Sequence, residues 1–315
     1  MSNPFIRLSF TVLLPLTILF TVGCEPESEP TGLSNPYLGQ EPPGMEPVRF
    51  PPAGYRATAE WFWHGSPAFS ADGEEMHFAQ MSPTGGLWLR YTRVVDGDWI
   101  PHEDPSFASD SAENKPMFAV DDPNRIYFIS KRPGGHIFTT TRPSPMGGWA
   151  APTAVDIAFP DSTNPGWQFC VNRNGDVYFE GWIHNQLDLY VSRLVDGVYT
   201  QPVKLSDRIN TGYNDFDPYL EPDERYLIFV SNRPGFGFHD LYISFKLTDG
   251  TWSEAVNLGA GINGDFEDFA PVVTQDGNYL FFVTQKTGDQ GYTPYWVDAE
   301  VLEQFDPAGG GQLAR

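Results

Sequence analysis

Five segments of this chain repeat one another at intervals of about fifty residues, and that regularity restricts the fold more than any other feature. They are SPAFSADGEEMHF from Ser66, KPMFAVDDPNRIYF from Lys115, QFCVNRNGDVYF from Gln168, DPYLEPDERYLIF from Asp217 and APVVTQDGNYLFF from Ala270. Each reads as a short strand, a polar corner and a second strand ending in aromatics. The corner residues Asp72, Asp121, Asn174, Asp223 and Asp276 fall 49, 53, 49 and 53 positions apart. A unit this small cannot bury its own apolar face, so it must stack on its neighbours.

Each unit continues in the same way. Third strands are expected at Leu87 to Arg93, Ile137 to Thr141, Leu189 to Leu194, Leu241 to Leu247 and Tyr295 to Asp298. The turns VDGDW, VDGVY and TDGTW then lead to a fourth strand in the first, third and fourth units, with GGW in that place in the second. Asp-Gly between alternating strands is a hairpin signal, because glycine accepts positive φ. Four antiparallel strands per unit describe a propeller blade.

The fifth unit lacks its fourth strand, and the other end of the chain can supply it. MEPVRF, Met45 to Phe50, resembles the fourth-strand segments SEAVNL from Ser253 and TQPVKL from Thr200. A propeller left open would expose unpaired strand edges. The expected fold is therefore all-β: a single β-propeller of five four-stranded blades closed by an N-terminal strand, with six blades as the alternative. The 31 Gly, 29 Pro and 47 aromatic residues agree, since they interrupt helices and favour strands. Acids outnumber bases 41 to 19, for a net charge of -22. So negative a surface repels phosphate backbones, which excludes a nucleic-acid partner.

Residues 1–23 read as a signal peptide, with Arg7 before an apolar run from Leu8 to Val22 that is too short to span a bilayer comfortably. Thr21-Val22-Gly23-Cys24 resembles a bacterial lipobox, which makes Cys24 the lipidation site. Residues 24–44, rich in Pro, Gly and acid, read as an extended tether. The propeller is expected over 45–300 and a C-terminal tail over 301–315. Position 25 is Glu, not Asp, which favours the outer membrane, facing the periplasm or the cell surface. The membrane is reached only through the lipid anchor, and a monomer is expected. Cys170, in an apolar strand, is expected to be buried and inert.

SPAFSADG, DPYLEPDERYLIFVSNRPG and DLYISF resemble the WD-like propeller repeat of TolB-type bacterial envelope proteins. That repeat carries a Ser-Pro-Asp-Gly corner, an aromatic strand ending in Ser, an Arg-Pro-Gly-Gly turn and then Asp-Leu-Tyr or Asp-Ile-Tyr. The resemblance covers roughly Met45 to Asp298 and implies an envelope-tethered binding propeller. Three units depart from the Ser-Pro before the corner, and the third departs most. Arg132 and Arg233 of the Arg-Pro-Gly turns are expected to hold a loop carbonyl or an acid. Trp99, Trp149 and Trp252 are expected to pack between blades.

Ligand contacts in a propeller gather around the central channel. A five-fold ring brings together His64, Glu113, Gly166, Asp215 and Asp268, and two residues further on Ser66, Lys115, Gln168, Asp217 and Ala270. His64, Glu113, Lys115, Asp215, Asp217 and Asp268 are thus the candidate ligand-binding residues, flanked by Glu267 and by Trp61, Trp63, Trp167, Phe216 and Phe269. Gathered carboxylates suit a hard cation such as Ca2+, a basic peptide or a hydroxyl-rich glycan. Two carboxyls about 5–9.5 Å apart would also serve glycoside cleavage. The favoured function is non-catalytic binding of an envelope protein, glycan or small ligand; a carbohydrate-active enzyme is the alternative. No Ser-His-Asp order, phosphate-binding loop, zinc spacing or dinucleotide fingerprint is visible.

Overall fold

A computed structural model describes residues 36–307, apart from 57, 59, 60, 160–164, 184, 287, 288 and 290. The expected signal peptide, Cys24 and the last eight residues lie outside the described residues. Five antiparallel sheets form the five blades of a β-propeller.

In the second blade the strands, from the axis outward, are Glu113–Phe118, Arg125–Ser130, Ile137–Thr141 and Thr153–Ala154. The third has Pro165–Val171, Val177–Ile183, Gln186–Ser192 and Val203–Lys204, and the fourth has Asp215–Leu220, Tyr226–Ser231, Asp240–Phe245 and Val256–Asn257. In the first blade the inner strand comes in two pieces, Phe62–Trp63 and Ala68–Phe69, both paired with Glu75–Met81, and Leu87–Val95 lies outside them. The fifth has Asp268–Val273, Tyr279–Thr284 and Thr293–Asp298, and Val48–Arg49 supplies its outermost strand. Val48 pairs with Trp296 and Arg49 with Tyr295, so the N-terminal segment closes the ring as its likeness to the other fourth strands requires.

The hydrophobic pattern explains why blades stack. Successive strand residues point to opposite faces. In Tyr226–Ser231, Leu227 and Phe229 pack toward the third blade, while Tyr226, Ile228 and Val230 pack toward the fifth. Each junction between neighbouring blades holds its own core; Phe50, Phe69, Phe78, Phe281 and Trp296 fill the one between the fifth and the first. Middle strands are thus buried on both faces, whereas the two-residue outer strands expose Val48, Val203 and Val256. Edges so short offer little template for aggregation.

The hairpin corners act locally. Asp72 accepts from the Glu74 amide and Asp276 from the Asn278 amide, while Gly73 and Gly277 between them take φ of +70° and +76°.

Two boundaries differ from expectation. Tyr37 and Leu38, placed by the sequence in the tether, are buried in the core between the first and fifth blades. Ala299–Phe305, at the start of the expected tail, is a 3-10 helix whose Val301 and Leu302 join the core between the fourth and fifth. Both segments are too short to show a period, yet each docks its large apolar side chains.

Candidate functional site

Inner strands in the second, fourth and fifth blades begin with an acid: Glu113, Asp215 and Asp268. Each carboxylate accepts a hydrogen bond from the backbone amide four residues upstream, at Ser109, Thr211 and Gly264 respectively. The acid thereby ties down the loop that feeds its strand. In two blades the Arg-Pro-Gly turn completes the arrangement. Arg132 lies 2.6 Å from Glu113 and also donates to the Phe107 carbonyl; Arg233 lies 2.8 Å from Asp215 and donates to the Ile209 carbonyl. Glu113 and Asp215 are buried and neutralised, so they close their own loops instead of lining an open mouth. The expected roles of Arg132 and Arg233 are both present, carbonyl and acid together.

Among the described residues the fifth blade shows no such arginine pair. Lys286 stands where the arginine would, but its ammonium lies 4.5 Å from the centre of the Tyr295 ring. Burial pushes the Asp268 carboxyl up to about 6. In the first blade His64 occupies the position of the acids, half-buried, with Asn114 Nδ2 at 3.4 Å from its Nδ1. Burial lowers its pKa.

Two residues further down, Ser66, Lys115, Gln168, Asp217 and Ala270 form a layer. Lys115, Asp217 and Ala270 have φ of +49°, +49° and +51°, and the ladder slips register beside each. This repeated bulge turns backbone groups toward the next blade. Ala270 donates its amide to Asp217 Oδ2 at 2.9 Å, Asp217 donates its own to Glu180 Oε2 at 2.8 Å, and Ser66 Oγ donates to the Ala270 carbonyl. A belt of bonds therefore runs from the third blade to the first. Lys115 faces Asp217, Cys170 and Glu180 within it. Burial pushes the ammonium down and the Asp217 carboxyl up, and their mutual attraction opposes both shifts.

The structure therefore brings Lys115 and Asp217 together and seals Glu113 and Asp215 away. Glu180 was missed, although a lone acid in the apolar strand VYFEGWI marks an inward polar position. Among the described residues no group of three or more His, Cys, Asp or Glu side chains is placed to hold a metal ion. Of the flanking aromatics, Trp63 is fully buried and donates its Nε1 to the Tyr55 carbonyl, whereas Phe216 and Phe269 are half-buried. The Trp167 side chain lies outside the described residues. Trp99 and Trp252 are buried in interblade cores, and Cys170 is buried with its thiol pushed up to about 12.

This end of the axis exposes several large aromatics. Trp88, Trp182, Tyr213, Phe236, Phe238 and Phe266 all lie in loops or strand ends on the face where the inner strands begin, Phe238 at 73% exposure. The loop carrying Phe236 and Phe238 is anchored: the amides of Phe236 and Gly237 donate to the Asp240 carboxylate, and the Phe238 amide donates to the Phe266 carbonyl. Behind it His239 lies 3.4 Å from Glu267, which also accepts from the Tyr292 hydroxyl. Phe216 and Phe269 pack edge-on against His239 and Tyr292, each at 5.0 Å. Burial lowers the His239 pKa; burial, then the Glu267 bond, pushes the Tyr292 hydroxyl up to about 12. Two Phe within the Gly-rich turn PGFGFHD were the available signal for this rim.

Fold and site together define a five-bladed β-propeller with an aromatic rim at one end of a narrow axis. No protein-family model matches the chain, and no curated protein matches it. Solved structures do. The catalytic domain of the family 62 α-L-arabinofuranosidase of Coprinopsis cinerea is 12% identical over 81% of this chain and 97% of its own, with a TM-score of 0.53. TolB from Acinetobacter baumannii is 14% identical over 72% of this chain, with a TM-score of 0.46; the match spans about half of TolB, 51%. An oligogalacturonate lyase in complex with manganese is 11% identical over 77% of this chain and 67% of its own, at 0.43. Identities this low establish the propeller fold and leave function to the site.

Proposed function

We propose that this protein is an envelope-tethered, non-catalytic binding propeller that docks a protein or glycan on the face where its inner strands begin. The observation that carries this reading is the exposed, backbone-anchored rim of Tyr213, Phe236, Phe238 and Phe266. Large rigid aromatics contribute contact area at low entropic cost. The locking of Glu113 and Asp215 by arginine supports binding over glycoside chemistry, which needs two free carboxyls. Tethering rests on the lipobox-like segment, with Cys24 acylated and the outer membrane as destination. Cys24→Ser should then move the protein from the membrane pellet to the soluble fraction.

A photoreactive residue at position 238 should cross-link a partner in intact cells, and one at Val198, at the opposite end of the axis, should not. A glycan ligand would appear as co-sedimentation with an insoluble envelope polysaccharide, lost in Phe236→Ser/Phe238→Ser. Absence of both would overturn the reading. A carbohydrate-active enzyme is the second reading: burial pushes the Asp268 carboxyl up to about 6, the direction a general acid needs. Hydrolysis of a polysaccharide that Asp268→Asn abolishes without lowering the melting temperature would decide for it.

A further inference from the structure

Below the Lys115–Asp217 layer the axis widens toward the opposite face into a cavity of about 60 Å³. Pro67, Pro116, Met117, Phe169, Pro218 and Val272 form its wall. Three of these are prolines, which have no N–H to donate, so the bore is apolar. A water needs roughly 10–15 Å³ of such volume, which makes this room for a few waters, about one aromatic ring or one branched aliphatic chain. Cavities lined this way bind hydrocarbon in preference to water.

A second space of about 260 Å³ adjoins the bore and shares Tyr219, Pro222, Val273, Thr274 and Gln275 with it. This outer space is acidic. It carries Glu221, Asp223, Asp276, Glu300 and Glu303 against Arg173 and Arg225. Both arginines are already engaged, Arg173 with Asp223 at 2.7 Å and Arg225 with Glu221 at 3.0 Å. The excess charge therefore rests on Asp276, Glu300 and Glu303. Gln275 lies across the opening, its Nε2 donating to the carbonyls of Phe118 and Ala119 in the second blade.

We propose that this end of the axis is a second binding site, for a small amphiphilic cation. Its apolar group occupies the bore, and its ammonium or guanidinium stays outside, among Asp276, Glu300 and Glu303. Lys115 closes the inner end of the bore, which leaves the outer mouth as the place for the charged group. The same chemistry is offered by a free arylalkylamine and by an aromatic–basic pair of side chains on a peptide. Neither needs the aromatic rim at the opposite face.

Calorimetry on the full propeller at low ionic strength tests this with 2-phenylethylammonium as probe, beside neutral 2-phenylethanol and anionic 3-phenylpropionate. The ammonium should bind at least about fivefold more tightly than the alcohol, as a surface charge interaction allows, and the propionate least. Val272→Phe should fill the bore and abolish binding of all three; Ala68→Leu, from the adjoining first blade, serves if that variant does not fold. Glu300→Gln/Glu303→Gln should erase the preference for the ammonium and keep the alcohol. Gln275→Ala should retain or tighten binding. N-acetyl-Phe-Lys amide binding more tightly than the free amine points to a protein source, and the reverse order to a free ligand. Equal binding of ammonium and alcohol, binding that survives a filled bore, or no binding by amine or peptide at millimolar concentration overturns the site.

Discussion

Tyr37 donates its hydroxyl to the carboxylate of Asp276 at 2.9 Å, joining residues 239 positions apart. Its amide also donates to the carbonyl of Gly73, and its ring meets Phe69 and Tyr279 edge-on at 4.9 and 5.1 Å. One residue from a Pro-rich segment thus staples the hairpin corners of the first and last blades. Burial, then the Asp276 charge, pushes the phenol well above its ordinary range, so it remains a donor. A mature chain begun at Pro36 should melt where the longer one does, whereas one begun at Glu41 should melt several degrees lower. Tyr37→Phe alone should cost about 1.5 kcal/mol, the worth of a hydrogen bond to a charged group. Thermal melts compare the three chain lengths, and urea titration compares Tyr37→Phe with its parent.

Closure depends on a strand only two residues long. Val48 and Arg49 cover the edge of Thr293–Asp298, and Phe50 beside them is fully buried against Phe281 and Trp296. Removing the chain through Phe50 uncovers that edge and empties an aromatic site. Light scattering should show oligomers or aggregate; a folded monomer lacking residues 45–50 would contradict the closure.

The Arg-Pro-Gly turns are structural. Arg233→Met should cost about 3–5 kcal/mol, because it leaves Asp215 buried and unpaired. Arg132→Met should behave alike toward Glu113, though Ser109 and Ser130 hydroxyls still donate to that carboxylate. Denaturant midpoints check both. An Arg233 variant with unchanged stability would return Asp215 to the set of groups free for a ligand.

Asp268 sets a pH dependence. Its folded pKa, up to about 6 through burial, lies above the ordinary aspartate value. Its contribution to stability is therefore fully present below about pH 4 and is lost as pH rises through 6. Asp268→Asn lacks that titration. Relative to the parent, the variant should gain on the order of 3 kcal/mol between pH 4 and pH 7. Melting curves at steps across that range measure the gap, and a constant gap would refute the shift.

Phe238 and Asp268 show how unevenly this molecule could be read in advance. Blade number, strand order and the closing role of Val48–Arg49 were legible, because corner spacing and strand alternation are written locally and repeated five times. The same holds for the burial of Trp99 and Trp252 and for the grip of Arg132 and Arg233, which occupy fixed places in a repeat. Other features depend on where separate loops meet. That Glu113 and Asp215 are sealed by arginine while Asp268 has no ion pair among the described residues follows from the reach of three side chains across their own loops, with Lys286 drawn instead onto Tyr295. Tyr37 looked like tether because a single aromatic among prolines has no period. Lys115 faces Asp217 and Glu180 because five inner strands, some fifty residues apart in the chain, converge on one axis. Periodicity states which way a side chain points within its blade; only the closed ring decides what it points at.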